Sequence, residues 1–163
     1  MIFYNIVSET GYALSVNPND QIGQLVLAEV NSASNLQLWR VSYWWSPNDK
    51  DRRTFMTLVN YATGLAATAD GRGDSSPVKQ SSINELPLSD SSTWVFDRVK
   101  SGSVPIGTLT AGYDNHCYPD GDHWCQVMNA QGDHYYPGVK IITYHLDNSY
   151  TKNCLWAFHP KLF

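Results

Sequence analysis

The chain is poor in charge. Only 16% of its 163 residues are Asp, Glu, Lys or Arg, where a soluble domain usually carries about a quarter. Its 11 basic residues are scattered and outnumbered by 15 acidic ones, for a net charge of -4. With no basic stripe to release counterions from a phosphate backbone, nucleic acid is not an expected partner. Long apolar runs are also missing. No stretch approaches the ~20 residues that a membrane-spanning helix needs, and the opening residues, MIFYNIVSETGYALSV, lack the basic and apolar regions of a secretory signal. Cysteine is scarce and odd in number (Cys117, Cys125 and Cys154), a poor disulfide framework. There is no Asn-x-Ser/Thr acceptor. Together these absences lead us to expect a cytoplasmic or nonclassically secreted protein. Apolar residues nowhere recur at helical spacing over three turns, so helix content should be low.

What the chain does have is aromatic residues and short strand-like runs. There are 6 Trp and 10 Tyr. QLVLAEV, TFMTLVN, TWVFDRV, VKIITYHL and CLWAFHP read as strands bounded by Asn, Asp, Gly and Ser clusters. The fold class is therefore all-β, and 163 residues suit one domain.

Three stretches share a pattern. LQLWRV, STWVFDRV and NCLWAFH each set a Trp before alternating apolar residues. Trp39, Trp94 and Trp156 are roughly 55 and 62 positions apart, the scale of a supersecondary repeat. ETGYALSV and ATGLAATA add a Thr-Gly turn to the first two units, and PIGTLTAGY is a looser counterpart in the third. The units span approximately 1–50, 51–102 and 103–163. Three four-strand units around an axis would enclose one core and leave no sheet edge free, a β-trefoil.

Gln37-Leu38-Trp39 matches the Q-x-W signature, and over 3–159 the chain resembles the ricin-B-type β-trefoil lectins. Within them it is most similar to the Euonymus-type lectins, through LVNYATG followed by a Pro-Val strand and a Trp. STW and CLW depart from the signature in the second and third units. The resemblance implies that the repeat Trp residues are core, and that the protein recognises glycans without catalysis. It also implies a sugar site made of an Asp after the Gly turn, a mid-unit aromatic and an Asn shortly before the Trp. The Asp position falls on Ser15, Thr68 and, in the third unit, near Thr110. The Asn position falls on Asn35, Ser91 and Asn153. Only the third unit combines an aromatic, an amide and carboxylates, so the expected carbohydrate site is Tyr113, Asp114, Tyr144 and Asn153. One shallow site of this kind binds weakly, so a homo-oligomer or a dense glycan surface would supply avidity.

The third unit also holds a segment, 113–138, that reads as one long aromatic loop. His116, Trp124, Tyr135 and Tyr136 make it a candidate additional binding surface. As the inserted loop of a protein-binding trefoil it would equally suit a protease inhibitor, and a toxin or defence protein could use the same fold for cell attachment. His116, Cys117, His123 and Cys125 fit no usual zinc spacing, Asp120 and Asp122 are ordinary turn residues, and no family signature surrounds a cysteine nucleophile beside His134. We expect no metal, no cofactor and no enzyme. Arg72-Gly73-Asp74, within DGRGDSSP, spells an integrin-binding tripeptide. It is expected between the first two strands of the second unit, where the first unit has the equally turn-like NPNDQIG, so it reads as turn composition rather than as an integrin ligand.

Overall fold

The structure, a computed structural model, describes residues 1–20, 23–45, 54–83, 90–112, 125–146 and 150–162. The strand-like runs fold as read. The first unit contributes β1 (Phe3–Ser8), β2 (Ala13–Ser15), β3 (Val26–Ala28) and β4 (Leu38–Trp45). The second contributes β5 (Thr54–Asn60), β6 (Ala66–Ala69), β7 (Ser76–Ser81) and β8 (Trp94–Lys100). The third contributes β9 (Ile106–Ala111), β10 (Gln126–Ala130), β11 (Ile141–His145) and β12 (Trp156–Lys161).

The first and last strands of each unit close a barrel. β1 pairs with β4, β4 with β5, β5 with β8, β8 with β9, β9 with β12, and β12 returns to β1. The middle strands form three hairpins, β2–β3, β6–β7 and β10–β11. Backbone bonds stitch these hairpins together: Leu25 N–H donates to Val78 O, Ile141 N–H to Leu25 O, and Leu27 N–H to Val139 O. The ring leaves no barrel strand with an open edge. This is a β-trefoil.

Its core has three-fold composition. Ile6, Leu58 and Leu109, from the first strand of each unit, are fully buried beside Trp39, Trp94 and Trp156. A buried indole needs an acceptor for its N–H, and all three find the same one. Trp39 donates to Leu14 O (3.0 Å), Trp94 to Ala67 O (3.0 Å) and Trp156 to Met128 O (2.9 Å). Each acceptor lies on the second strand of its own unit, so these bonds align the three units residue by residue. The two Thr-Gly turns also match. Gly11 (φ 93°) and Gly64 (φ 69°) occupy the left-handed region that glycine enters without strain. Gln37, the signature glutamine, braces the β3–β4 connection by donating to Glu29 O and accepting from Asn31 N–H.

Four sequence expectations need correcting. PIGTLTAGY is not a third Thr-Gly turn: it is β9, and Gly107 sits inside the strand opposite Arg98 and Trp156. The 113–138 segment is not one loop, because β10 divides it; the apolar Val127 and Met128 had been submerged among polar neighbours. DGRGDSSP lies between the second and third strands of its unit, since TFMTLVN is already β5. Finally, Cys125 is disulfide-bonded while Cys154 is a buried thiol outside any disulfide, so an odd count does not preclude a bridge. Denatured without reductant, the protein should therefore titrate one thiol per chain; three would contradict the bridge.

Gly107 is required for close approach rather than for a turn. A Cβ there would lie 2.2 Å from the Asp97 carbonyl oxygen, which is backbone and cannot swing aside. Gly107→Ala should lower the unfolding free energy by about 1–3 kcal/mol, read from the urea midpoint. Gly102→Ala is the control, because its nearest neighbour would be at 3.7 Å.

Candidate functional site

β10, β11 and the short turn Lys152–Cys154 before β12 enclose a pocket of about 270 Å³. Asn129, Asp133, Tyr144, His145, Thr151 and Asn153 are among the side chains that line it. Tyr144 and Asn153, two of the four expected carbohydrate-site residues, thus meet in one cavity. Tyr113 and Asp114 lie outside the described residues, as do His116 and Trp124. Tyr135 and Tyr136 follow the pocket's Asp133 in the β10–β11 connection but do not line the cavity. Partial burial, then the charge of Asp133, raises the Tyr135 hydroxyl above the ordinary tyrosine pKa.

The amides have a fixed polarity. Asn153 Nδ2 donates to Asn129 Oδ1 (2.9 Å), Ala130 O (3.2 Å) and Gly132 O (3.3 Å). Two of these acceptors are backbone carbonyls, which can only accept, so the NH2 of Asn153 must face them. The Asn153 carbonyl in turn accepts from the Thr151 hydroxyl. Both ends of Asn153 are engaged within the protein, so it acts as a brace. Asn129 must present its oxygen to Asn153, and its own NH2, which has no protein partner among the described residues, remains to donate to a ligand. Asp133 supplies an exposed carboxylate acceptor. A half-exposed aromatic ring, an outward donor and a carboxylate therefore converge in one shallow cavity.

Aligning the units on their indole bonds shows why, among the described residues, the first two units lack this arrangement. The residue after the indole acceptor is Ser15, Thr68 or Asn129. Thr110, the expected third member, instead sits in β9 and donates to Asp97 Oδ2. The long β9–β10 connection had displaced the sequence alignment by one strand. Strand register puts Ala28, Ser81 and Tyr144 at the aromatic position. Three residues before the Trp stand Leu36, Ser91 and Asn153; Asn35 is one residue too early and exposed. In the first unit Ser15 Oγ donates to Val16 O. In the second, Thr68 Oγ1 lies 2.6 Å from Ser81 Oγ and 2.9 Å from Ser92 Oγ. These hydroxyls satisfy one another and offer no aromatic face.

Asp74, the acid of the Arg-Gly-Asp tripeptide, reaches the same region. Its Oδ1 accepts from Gln126 Nε2 (2.9 Å) and the His145 backbone N–H (2.8 Å), while Oδ2 is 2.7 Å from His145 Nδ1. Partial burial works to raise the Asp74 carboxyl pKa, but the hydrogen bonds from Gln126 and His145 and the nearby imidazole outweigh it, and the carboxyl is held below its ordinary range. Neither Asp74 nor His145 was among the expected site residues. They are far apart in sequence, and no local pattern marks the contact.

No family model matches the chain, and no curated protein does. Solved structures do match. The designed 3-fold symmetric protein ThreeFoil aligns over 98% of this chain and 99% of its own, at TM-score 0.73 and 19% identity. The Rhizoctonia solani agglutinin aligns over 98% and 94%, at TM-score 0.62 and 17% identity. The C-half of the earthworm R-type lectin, solved in complex with GalNAc, aligns over 99% and 100%, at TM-score 0.57 and 13% identity. At these identities the likeness establishes the fold, a β-trefoil among whose structural neighbours are lectins.

Proposed function

We propose that the protein is a ricin-B-like lectin that binds a neutral glycan in the third-unit pocket without turning it over. The observation that carries this reading is the convergence of Tyr144, Asn129 and Asp133 on one cavity, braced by Asn153. Sugars are bound by a ring face stacked on an aromatic and by hydroxyls exchanging hydrogen bonds with amides and carboxylates. Each such bond contributes about 0.5–1.5 kcal/mol net, so one shallow pocket gives millimolar to micromolar affinity. The Asp133 carboxylate would repel an acidic sugar, which favours a neutral one. Lectins among the structural neighbours support the same class, and GalNAc, present in the earthworm lectin structure, is the first probe to try. A bridge persists where the surroundings are oxidising, so the disulfide at Cys125 favours export over cytosolic residence.

The test is a glycan array with wild type and Tyr144→Ala. The lectin reading expects wild-type signals on neutral glycans that Tyr144→Ala loses. A blank wild-type array, together with inhibition in a protease panel, would support the protein-binding alternative instead.

A further inference from the structure

We propose that the second unit supports the third-unit pocket from outside, with Asp74 as a positioning residue that sets His145 and, through it, the Tyr144 ring. The inference rests on the lectin reading for its purpose, but its geometry stands apart from any ligand.

Consecutive residues of a strand point to opposite faces. Tyr144 and His145 nevertheless stack, with ring centroids 4.4 Å apart and planes 29° from parallel. Something must hold the His145 ring on the Tyr144 side, and Asp74 is placed to do it. Gln126 and His145 face each other across the β10–β11 ladder, and the Asp74 carboxylate bonds to both. It thus clips the end of the hairpin and holds the imidazole at the same time.

The turn bearing Asp74 is itself docked. Thr143 Oγ1 donates to Gly73 O (3.1 Å), and Ser75 N–H donates to Thr143 O (2.8 Å). Ser75 adopts φ 61°, a left-handed conformation that a non-glycine residue holds only when its surroundings impose it. Ser76 Oγ closes the turn by donating to Gly73 O and accepting from Gly73 N–H. A loop that looks like an adhesion motif engages its carboxylate in intramolecular contacts at the surface. One face of Tyr144 is covered by His145, which leaves the other for a sugar ring.

Two measurements test this. Without ligand, the Tyr144 ring protons should carry a ring-current shift from His145. Asp74→Ala should move those resonances towards random-coil values; unchanged resonances would overturn the proposal. With GalNAc, Asp74→Ala should weaken wild-type binding about fivefold to tenfold, the scale of losing a charge-assisted hydrogen bond at an exposed site. Asp74→Asn, which can still accept from the His145 amide, should recover part of the loss. In a His145→Phe background, where a flat ring remains but cannot pair, Asp74→Ala should cost no more than about twofold further. An equal loss in both backgrounds would mean that Asp74 acts only through the turn, and would sink the proposal. If the ring shifts respond but no variant nor wild type binds glycan, the lectin reading has failed and the positioning has not.

Discussion

Trp156→Ala is expected to lower the unfolding free energy by about 3–5 kcal/mol, the range for removing a large aromatic from a packed core. Trp156 is wholly buried within the main cluster, against the same core as Trp39 and Trp94. Truncation leaves a cavity that three converging units cannot collapse without shifting a barrel strand. It also takes the donor from Met128 O, and leaving that buried carbonyl unpaired is part of the cost. Domains of this size are stable by roughly 5–15 kcal/mol, so the loss is a large share of the total and the urea midpoint should fall steeply. Trp156→Phe keeps most of the bulk and loses only the N–H bond, and should cost clearly less. Far-UV circular dichroism in urea reads both changes without relying on the altered fluorophore. A Trp156→Ala midpoint close to wild type would contradict the shared core.

The second large effect is on binding. Tyr144→Ala removes the proposed stacking face, and should reduce glycan affinity about tenfold, since aromatic contacts of this kind contribute on the order of 1 kcal/mol. Tyr144 is 39% exposed and outside the main core, so the urea midpoint should hardly move. Tyr144→Trp should retain binding. Asn129→Ala removes the outward donor and should weaken binding about threefold to tenfold, in line with one net hydrogen bond. Ser81→Ala, at the same register position in the second unit, should leave binding unchanged. Affinities from isothermal titration decide these cases. Loss of binding in Ser81→Ala, with Tyr144→Ala unaffected, would move the site to the second unit.

The contrast between these residues shows what a sequence exposes. The trefoil was legible because its landmarks are local: an indole with one donor, followed by an alternating strand, recurs three times. Tyr144 and Asn153 could be found by counting from Trp156. Asn129 could not, because the connection between β9 and β10 hides where the second strand begins, and Thr110 took its place in the count. Only the Trp156 indole bond to Met128 O restores the alignment. Asp133 and Thr151 carry no motif, and gain meaning from the pocket they line. The Asp74–His145 pair is legible only in space, where two hairpins from different units meet. Arg72-Gly73-Asp74 forms the turn between β6 and β7 that its composition suggests. The use to which the turn puts its acid lies in tertiary contacts that no local pattern shows.

The central claim is that one glycan site exists, in the third unit. Amide chemical-shift mapping of labelled protein titrated with GalNAc, or with the strongest neutral glycan from the array, tests it most directly. The account predicts saturable shifts at Asn129, Gly132, Asp133, Tyr144 and Asn153, with Ser15, Ala28, Thr68 and Ser81 silent. Shifts centred on those first- and second-unit positions, or no shift at the third-unit pocket with a glycan that binds, would contradict it.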